Sequence, residues 1–305
     1  LIVVDASGSV VERQMHVTRL GQGVDASRQL DPAAVQRTVD VLQRYRQVMD
    51  GHGVVDVRVV ATSAVRDATN AAEFVEAVRS CTGVVPEILP GQEEGRLSFL
   101  GATAHLPEWW DRRAPTLVVD IGGGSTELSV GPPGSVAEGD DEPVTVSLDI
   151  GCVRSTERLL RADPPTSPQL RHARQEIGAE LRRARRQLPA LGDNRWMVGL
   201  AGTVATVAML VGGVEQYERR LVHHVAISRT DVEDWLDRLA GEDAATRRSE
   251  PGMVDGRQDV IVAGVLVLAE TMAVFDRDHC LASEDDILDG LAASLRHRPN
   301  GPISG

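Results

Sequence analysis

Strands alternating with helices through both halves, two glycine turns that each follow an apolar strand, and a proline-bounded linker predict an α/β chain. The expected form is two domains with mixed sheets flanked by helices and a cleft between them. The length, 305 residues, suits two domains of about 150 residues each. The linker at 107–115 puts the first domain at 1–110 and the second at 116–305, and the last helix is a candidate to pack back on the first. Apolar residues make up 42% of the chain, enough for two cores, and the 25% of charged residues excludes global disorder. Acids number 45 against 32 cations, a net charge of −13, and every cation is an arginine. That balance argues against a nucleic-acid binder or a membrane-surface binder, whose footprint should be broadly basic. The longest apolar run, 260–269, is far shorter than the roughly 20 residues that cross a bilayer. Cys81, Cys152 and Cys280 are far apart and show no CxxC spacing. They form neither a disulfide framework nor a zinc site, and we expect a reducing, cytoplasmic setting.

Residues 1–6 read as a strand, Ser7-Gly8-Ser9 as a turn, and 10–20 as a second extended run. Asp31 is a natural N-cap, Pro32 suits the first helical position and Gly51 closes the helix. Val35, Val39, Leu42, Tyr45 and Met49 recur along it at the helical period. A strand is expected over 54–62, a helix from Asn70 to near Gly83, a strand over 84–89 and a helix over 92–106. The second half starts with a strand at 116–120, a glycine turn at 121–125 and a returning strand at 126–130. The insert 131–143, rich in Gly, Pro and acid, reads as a mobile loop before a strand at 144–149. Helices are expected over 153–161, 168–188, 203–211, 230–239, 257–275 and 284–298. A short strand, 197–200, enters the second glycine turn. Both halves open with strands followed by helices, which points to a duplicated architecture.

The most informative stretch is Val118-Val119-Asp120-Ile121-Gly122-Gly123-Gly124-Ser125-Thr126-Glu127-Leu128. Three successive glycines after a buried strand let the backbone turn tightly and bring its N–H groups against an anion. Asp120 at the strand end could hold a magnesium ion or its water shell, and Glu127 could add a second acid. The plainer reading is a glycine hairpin. At Gly199-Leu200-Ala201-Gly202-Thr203, a strand runs through small residues into a helix whose first N–H groups suit a phosphate. By itself this turn is equally consistent with close packing. Two facing turns of this kind resemble the phosphate cleft of the actin, sugar-kinase and heat-shock-ATPase superfamily.

Further segments narrow the resemblance. They are Ala61-Thr62-Ser63-Ala64-Val65-Arg66-Asp67-Ala68, Pro90-Gly91-Gln92-Glu93-Glu94-Gly95-Arg96-Leu97 and Ser147-Leu148-Asp149-Ile150-Gly151-Cys152-Val153-Arg154. With Arg19-Leu20-Gly21 and Asp289-Gly290-Leu291, they are similar to the exopolyphosphatase and guanosine pentaphosphate phosphohydrolase family in its short two-domain form. The likeness covers nearly the whole chain in order. It implies two actin-like domains, magnesium dependence, and removal of a terminal phosphate from inorganic polyphosphate or guanosine pentaphosphate. By that resemblance Glu94 is the base for the attacking water and Arg66 grips phosphate oxygens. Asp120 and Glu127 surround the metal, and Gly122, Gly123, Gly124 and Ser125 form the phosphate turn, with Gly202 and Thr203 facing it. Taken without the resemblance, Glu93 and Glu94 are acids favoured at a helix N-terminus. Family members carry a first strand and an Asp-x-Gly-Thr-Asn-Ser turn before the segment matching 1–5, so we expect residues upstream of Leu1.

The leading reading is an exopolyphosphatase, with guanosine pentaphosphate as the alternative substrate and a homodimer left open. A sugar-kinase-type phosphotransferase and a non-catalytic binder of polyphosphate or guanosine tetraphosphate are the other classes. Arg171, Arg174, Arg182, Arg185 and Arg186 share one side of the 168–188 helix. They are either a track for a linear polyphosphate or a solvated face. Trp109 and Trp110 are expected to pin the two domains together. His223 and His224, adjacent in sequence, are expected on a strand and pointing apart.

Overall fold

The computed structural model describes residues 1–134 and 142–296. The first half begins with an antiparallel hairpin, β1 (Ile2–Val4) and β2 (Val10–Arg13). Asp5 closes its turn, with Oδ1 accepting from the N–H groups of Ser7 and Ser9. There follow α1 (Val24–Ser27), α2 (Pro32–Gly51), β3 (Val60–Ala61), α3 (Ser63–Arg66), α4 (Ala71–Thr82), β4 (Glu87–Ile88) and α5 (Gly91–Ala104). Asp31 caps α2 as expected, accepting from the Ala34 N–H. The second half contains β5 (Thr116–Ile121), β6 (Thr126–Gly131), β7 (Val144–Leu148), α6 (Cys152–Leu159), α7 (Ser167–Arg185), β8 (Trp196–Leu200) and α8 (Ala201–Gly212). It continues with α9 (Arg219–Val222), β9 (Ala226–Ser228), α10 (Arg229–Ala240), α11 (Ala244–Arg248), α12 (Ile261–Val274), β10 (His279–Ala282) and α13 (Ile287–Arg296). The expected 131–143 loop falls largely on residues outside the described ones, as do the last two residues of the expected 284–298 helix.

The six-stranded mixed sheet has the order β7-β6-β5-β8-β10-β9. β5 runs antiparallel to β6 and parallel to β8, and β8 runs parallel to β10. Helices cover both faces, so the strands are apolar on both, and the period of two assigns each side chain to a face. Leu117, Val119, Ile121, Leu128 and Val130 pack with α7, α8, α10 and α12 in the larger core. Val118, Val198 and Leu281 face the other way, against Phe99 and Ala102 of α5, Leu106 and Trp110. Asp120 shares the α5 face with Val118, and register pairs it with Glu127. Alternation alone therefore delivers both acids to α5.

α5 lies unusually close to the sheet. A Cβ at Gly91 would overlap Ser147, and one at Gly95 would overlap Thr145 while lying 3.0 Å from Glu127 Cβ. Its other side meets α13 equally closely, since Cβ atoms at Gly101 and Gly290 would overlap the Asp286 and Leu97 carbonyl oxygens. α13 also reaches the first half, where Arg13 of β2 pairs with Asp286 and Asp289 at 3.0 and 2.7 Å.

The first half departs from expectation in its strands. Only Val60–Ala61 of the 54–62 run pairs, because residues 54–59 join no strand among those described. β1 and Val60 of β3 border an apolar cavity of about 230 Å³, whose lining includes Ile2, Val4, Tyr45, Val57 and Leu291. Trp110 is buried and donates from Nε1 to Thr116 Oγ1, whereas Trp109 is mostly exposed. His223 and His224 follow α9, not a strand, and their rings stack with centroids 3.7 Å apart.

The α5–α13 crossing yields a stability prediction. Gly290→Ala drives a methyl group into the Leu97 carbonyl, and overpacking of this kind costs about 1–3 kcal/mol. We expect a lower urea midpoint with an unchanged m-value, and an unchanged midpoint would contradict the close crossing.

Candidate active site

The turn between β5 and β6 is a row of oriented peptides. The Gly122 carbonyl accepts from the Cys152 N–H at 2.9 Å, and the Gly123 carbonyl accepts from Val153 and Arg154 N–H at 2.9 and 3.1 Å. The Gly124 carbonyl accepts from Arg154 Nε at 2.6 Å. In a trans peptide the following N–H points opposite to the carbonyl. Three carbonyls turned toward α6 therefore turn the N–H groups of Gly123, Gly124 and Ser125 away from it. These three donate to no acceptor among the described residues. A Cβ at Gly124 would overlap Ser63 Oγ of α3, so this turn lies directly against α3. The result is a concave set of donors suited to an anion.

Three carboxylates converge beside it. Asp120, at the end of β5, accepts from Ser98 Oγ of α5 at 2.7 Å. Glu127, opposite it on β6, accepts from Ser147 Oγ of β7 at 2.7 Å, and its Oε2 is buried with no hydrogen-bond partner. Glu94, in the first turn of α5, accepts from Arg66 Nη1 at 3.2 Å, and Arg66 also donates to the Leu89 carbonyl. Burial and the neighbouring Glu94 push Asp120 up to about 7. Burial, Glu94 and Asp120 together raise Glu127 well above the ordinary glutamate range. Burial also raises Glu94, against the opposing pull of the Arg66 cation. Each acid is thus destabilised as an anion by loss of water, and Asp120 and Glu127 also by neighbouring negative charge.

No group of three or more His, Cys, Asp or Glu side chains among the described residues is arranged to hold a metal by itself. The orphaned Glu127 Oε2 and its partner Asp120 fit a cation that keeps most of its ligands as water and substrate oxygens, as magnesium does.

The second glycine turn lies differently from expectation. Ala201 takes a left-handed φ of 69°. Gly202 is covered by the Arg257 guanidinium, which a Cβ there would overlap. Thr203 is buried under Gly264 and does not line the cleft. Arg257, expected as the first residue of the 257–275 helix, lies before α12, which begins at Ile261. Its guanidinium lies over this loop from a neighbouring segment, and it forms no ion pair among the described residues. A cleft of about 410 Å³ runs between Arg19, Ser63, Gly123, Gly124, Cys152 and Arg257. Arg257, Ser98 and Ser147 were missed as site residues. The glycine-arginine pair at 256–257 is a local signal for the first, Ser147 opens one of the segments that carry the resemblance, and Ser98 carries none.

Residues 1–298 of the 305 match the Ppx/GppA phosphatase family. The chain belongs to this family. Exopolyphosphatase 2 of Mycobacterium tuberculosis is 37% identical over 294 residues, which cover 93% of this chain and 89% of that protein. The crystal structure of an exopolyphosphatase-like protein superposes with a TM-score of 0.88 at 35% identity, covering 96% of this chain and 94% of that one. A Ppx/GppA family member from Aquifex aeolicus gives 0.78 at 29% identity, covering 99% and 94%. A guanosine-5'-triphosphate,3'-diphosphate pyrophosphatase of Photobacterium profundum is 35% identical over 162 residues, covering 52% of this chain and 31% of that protein. As a Ppx/GppA protein the chain is a phosphatase, with the α/β fold of the solved members. No helix among the described residues is long and apolar enough to cross a membrane.

The raised acid makes a pH prediction. Between the ordinary aspartate value of 3.8 and about 7, folded Asp120 retains a proton that the unfolded chain has released. Stability contributed by this group therefore falls as pH rises through that window. With metal removed, the melting temperature of the native protein should drop more steeply from about pH 4 to about pH 7 than that of Asp120→Asn, which does not ionise. Equal slopes would mean Asp120 is ionised throughout.

Proposed function

We propose that this Ppx/GppA phosphatase is a magnesium-dependent exopolyphosphatase. The observation that carries the reading is the Glu94 carboxylate, buried beside Asp120 and Glu127 and held by Arg66. Water attacks the terminal phosphorus, and Glu94 accepts the water's proton. The bridging P–O bond breaks with its electron pair going to the shortened chain, and orthophosphate leaves. Arg66 and the N–H groups of Gly123, Gly124 and Ser125 hold the terminal phosphate oxygens and stabilise the charge they carry. The rest of the polymer passes along the cleft by Arg257. Asp120 and Glu127 would hold the magnesium ion, which supplies charge neutralisation for the phosphate oxygens when bound. Guanosine pentaphosphate offers the same terminal anhydride. It is the second reading, favoured by the name of the Photobacterium relative.

Glu94→Gln keeps the shape and removes the proton acceptor. Turnover of polyphosphate should fall by about 10²- to 10⁴-fold with a much smaller change in KM. A variant that keeps most of the turnover would remove Glu94 from this role. Running both substrates in the same assay separates the two readings, the larger kcat/KM marking the preferred one.

Of the two readings of the arginine face of α7, we favour the solvated face over the polymer track. Arg174 pairs with Glu233 and Glu270 at 2.8 and 3.0 Å, and Arg185 donates to the Val274 carbonyl at the end of α12. That end leads into the start of β10, whereas Asp120 and Leu200 mark the opposite ends of the parallel strands. Replacing Arg182, Arg185 and Arg186 together with Gln should leave KM for both long polyphosphate and tripolyphosphate unchanged. A selective rise for the long chain would restore the track.

A further inference from the structure

We propose that Arg154 is a positioning residue that locks the glycine turn to the segment carrying Arg66, keeping the phosphate donors in register with Glu94. Arg154 occupies the first turn of α6 and is 5% exposed. Its guanidinium reaches both halves of the chain at once. Nε donates to the Gly124 carbonyl at 2.6 Å, Nη1 donates to Asp25 Oδ1 at 2.6 Å, and Nη2 pairs with Asp67, with Asp149 at 3.7 Å.

Both ends of this bridge are chemically placed. The Gly124 carbonyl is the third of the row that turns N–H groups outward, and it is the one that takes a side chain as its donor. Arg154 therefore completes the anion-binding row by fixing the peptide whose N–H belongs to Ser125. Asp67 directly follows Arg66 and caps α3, its N–H bonded to the Ser63 carbonyl. Holding Asp67 holds the end of the helix from which Arg66 reaches Glu94. Ser63, at the other end of α3, abuts Gly124. The rest of α6 braces the same joint, with Arg158 on both oxygens of Asp25 and Glu157 accepting from the Gly23 N–H at 2.9 Å. A lysine could supply the charge but not three donors in a fixed planar fork.

The inference rests on the reading of Glu94 as the proton acceptor, so Glu94→Gln is measured alongside. The test compares Arg154→Lys and the milder Asp67→Asn, assayed on polyphosphate below each variant's melting midpoint and normalised to the folded fraction by circular dichroism. Small displacements of reacting groups are costly, so kcat should fall by about 10- to 100-fold while KM stays within about threefold. Should Arg154→Lys not fold, Asp67→Asn decides by the same criteria. A folded variant with native kcat, or a loss confined to KM, would overturn the positioning role. If Glu94→Gln keeps its turnover, the base assignment fails instead. If only the Arg154 and Asp67 variants keep theirs, the failure is that of the lock alone.

Discussion

Everything at the site depends on how closely α5 lies on the six-stranded sheet. Gly91 and Gly95, four residues apart, present one side-chain-free stripe of the helix to Ser147, Thr145 and Glu127. That approach places Glu94 beside two acids that strand alternation has already turned toward α5. It also brings Ser98 onto Asp120. Larger residues at either glycine would lift the helix and let water between the carboxylates. The burial that raises their proton affinities is therefore a packing consequence before it is a chemical one.

Three acids in so dry a place need compensation, and the chain supplies only part of it. Arg66 serves Glu94, while Ser98 and Ser147 each satisfy one oxygen of Asp120 and Glu127. Glu127 Oε2 remains without a partner. A phosphate anion brought to the neighbouring glycine turn would add further negative charge. A cation beside Asp120 and Glu127 would resolve both conflicts, and magnesium is the ion we propose for that role. Arg257, Gly123 and Gly124 line the wider cleft, whereas the three acids are buried outside its lining.

Much of this was legible from local pattern. The strand, acid, glycine-turn and returning-strand order of 118–128 shows the hairpin, but the expected 121–125 turn would set Asp120 opposite Thr126, and it is the extension of β5 through Ile121 that pairs Asp120 with Glu127. Asp31 with Pro32 marks the α2 start through a purely local hydrogen bond. What was not legible depends on distant partners. Residues 54–59 have strand composition, yet a strand exists only where a neighbour supplies the ladder. β10 offers just four residues, His279–Ala282, too few to show a period. The α7 arginines look like a free stripe until Glu233 and Glu270 arrive from α10 and α12. Gly202 reads as a phosphate turn, but the guanidinium lying over it comes from residue 257, more than fifty positions later. Helical phase and composition carry no information about such neighbours.

The central claim is that Asp120, Glu127 and Glu94 share one poorly hydrated site whose proton affinity a divalent cation must overcome. Calorimetric titration of magnesium into the protein near pH 7, repeated in buffers of differing ionisation enthalpy, counts the protons released on binding. The account predicts release of a substantial fraction of a proton per ion, diminishing as pH rises, and its loss in the Asp120→Asn and Glu127→Gln variants. Binding with no proton release, or release that survives both substitutions, would contradict it.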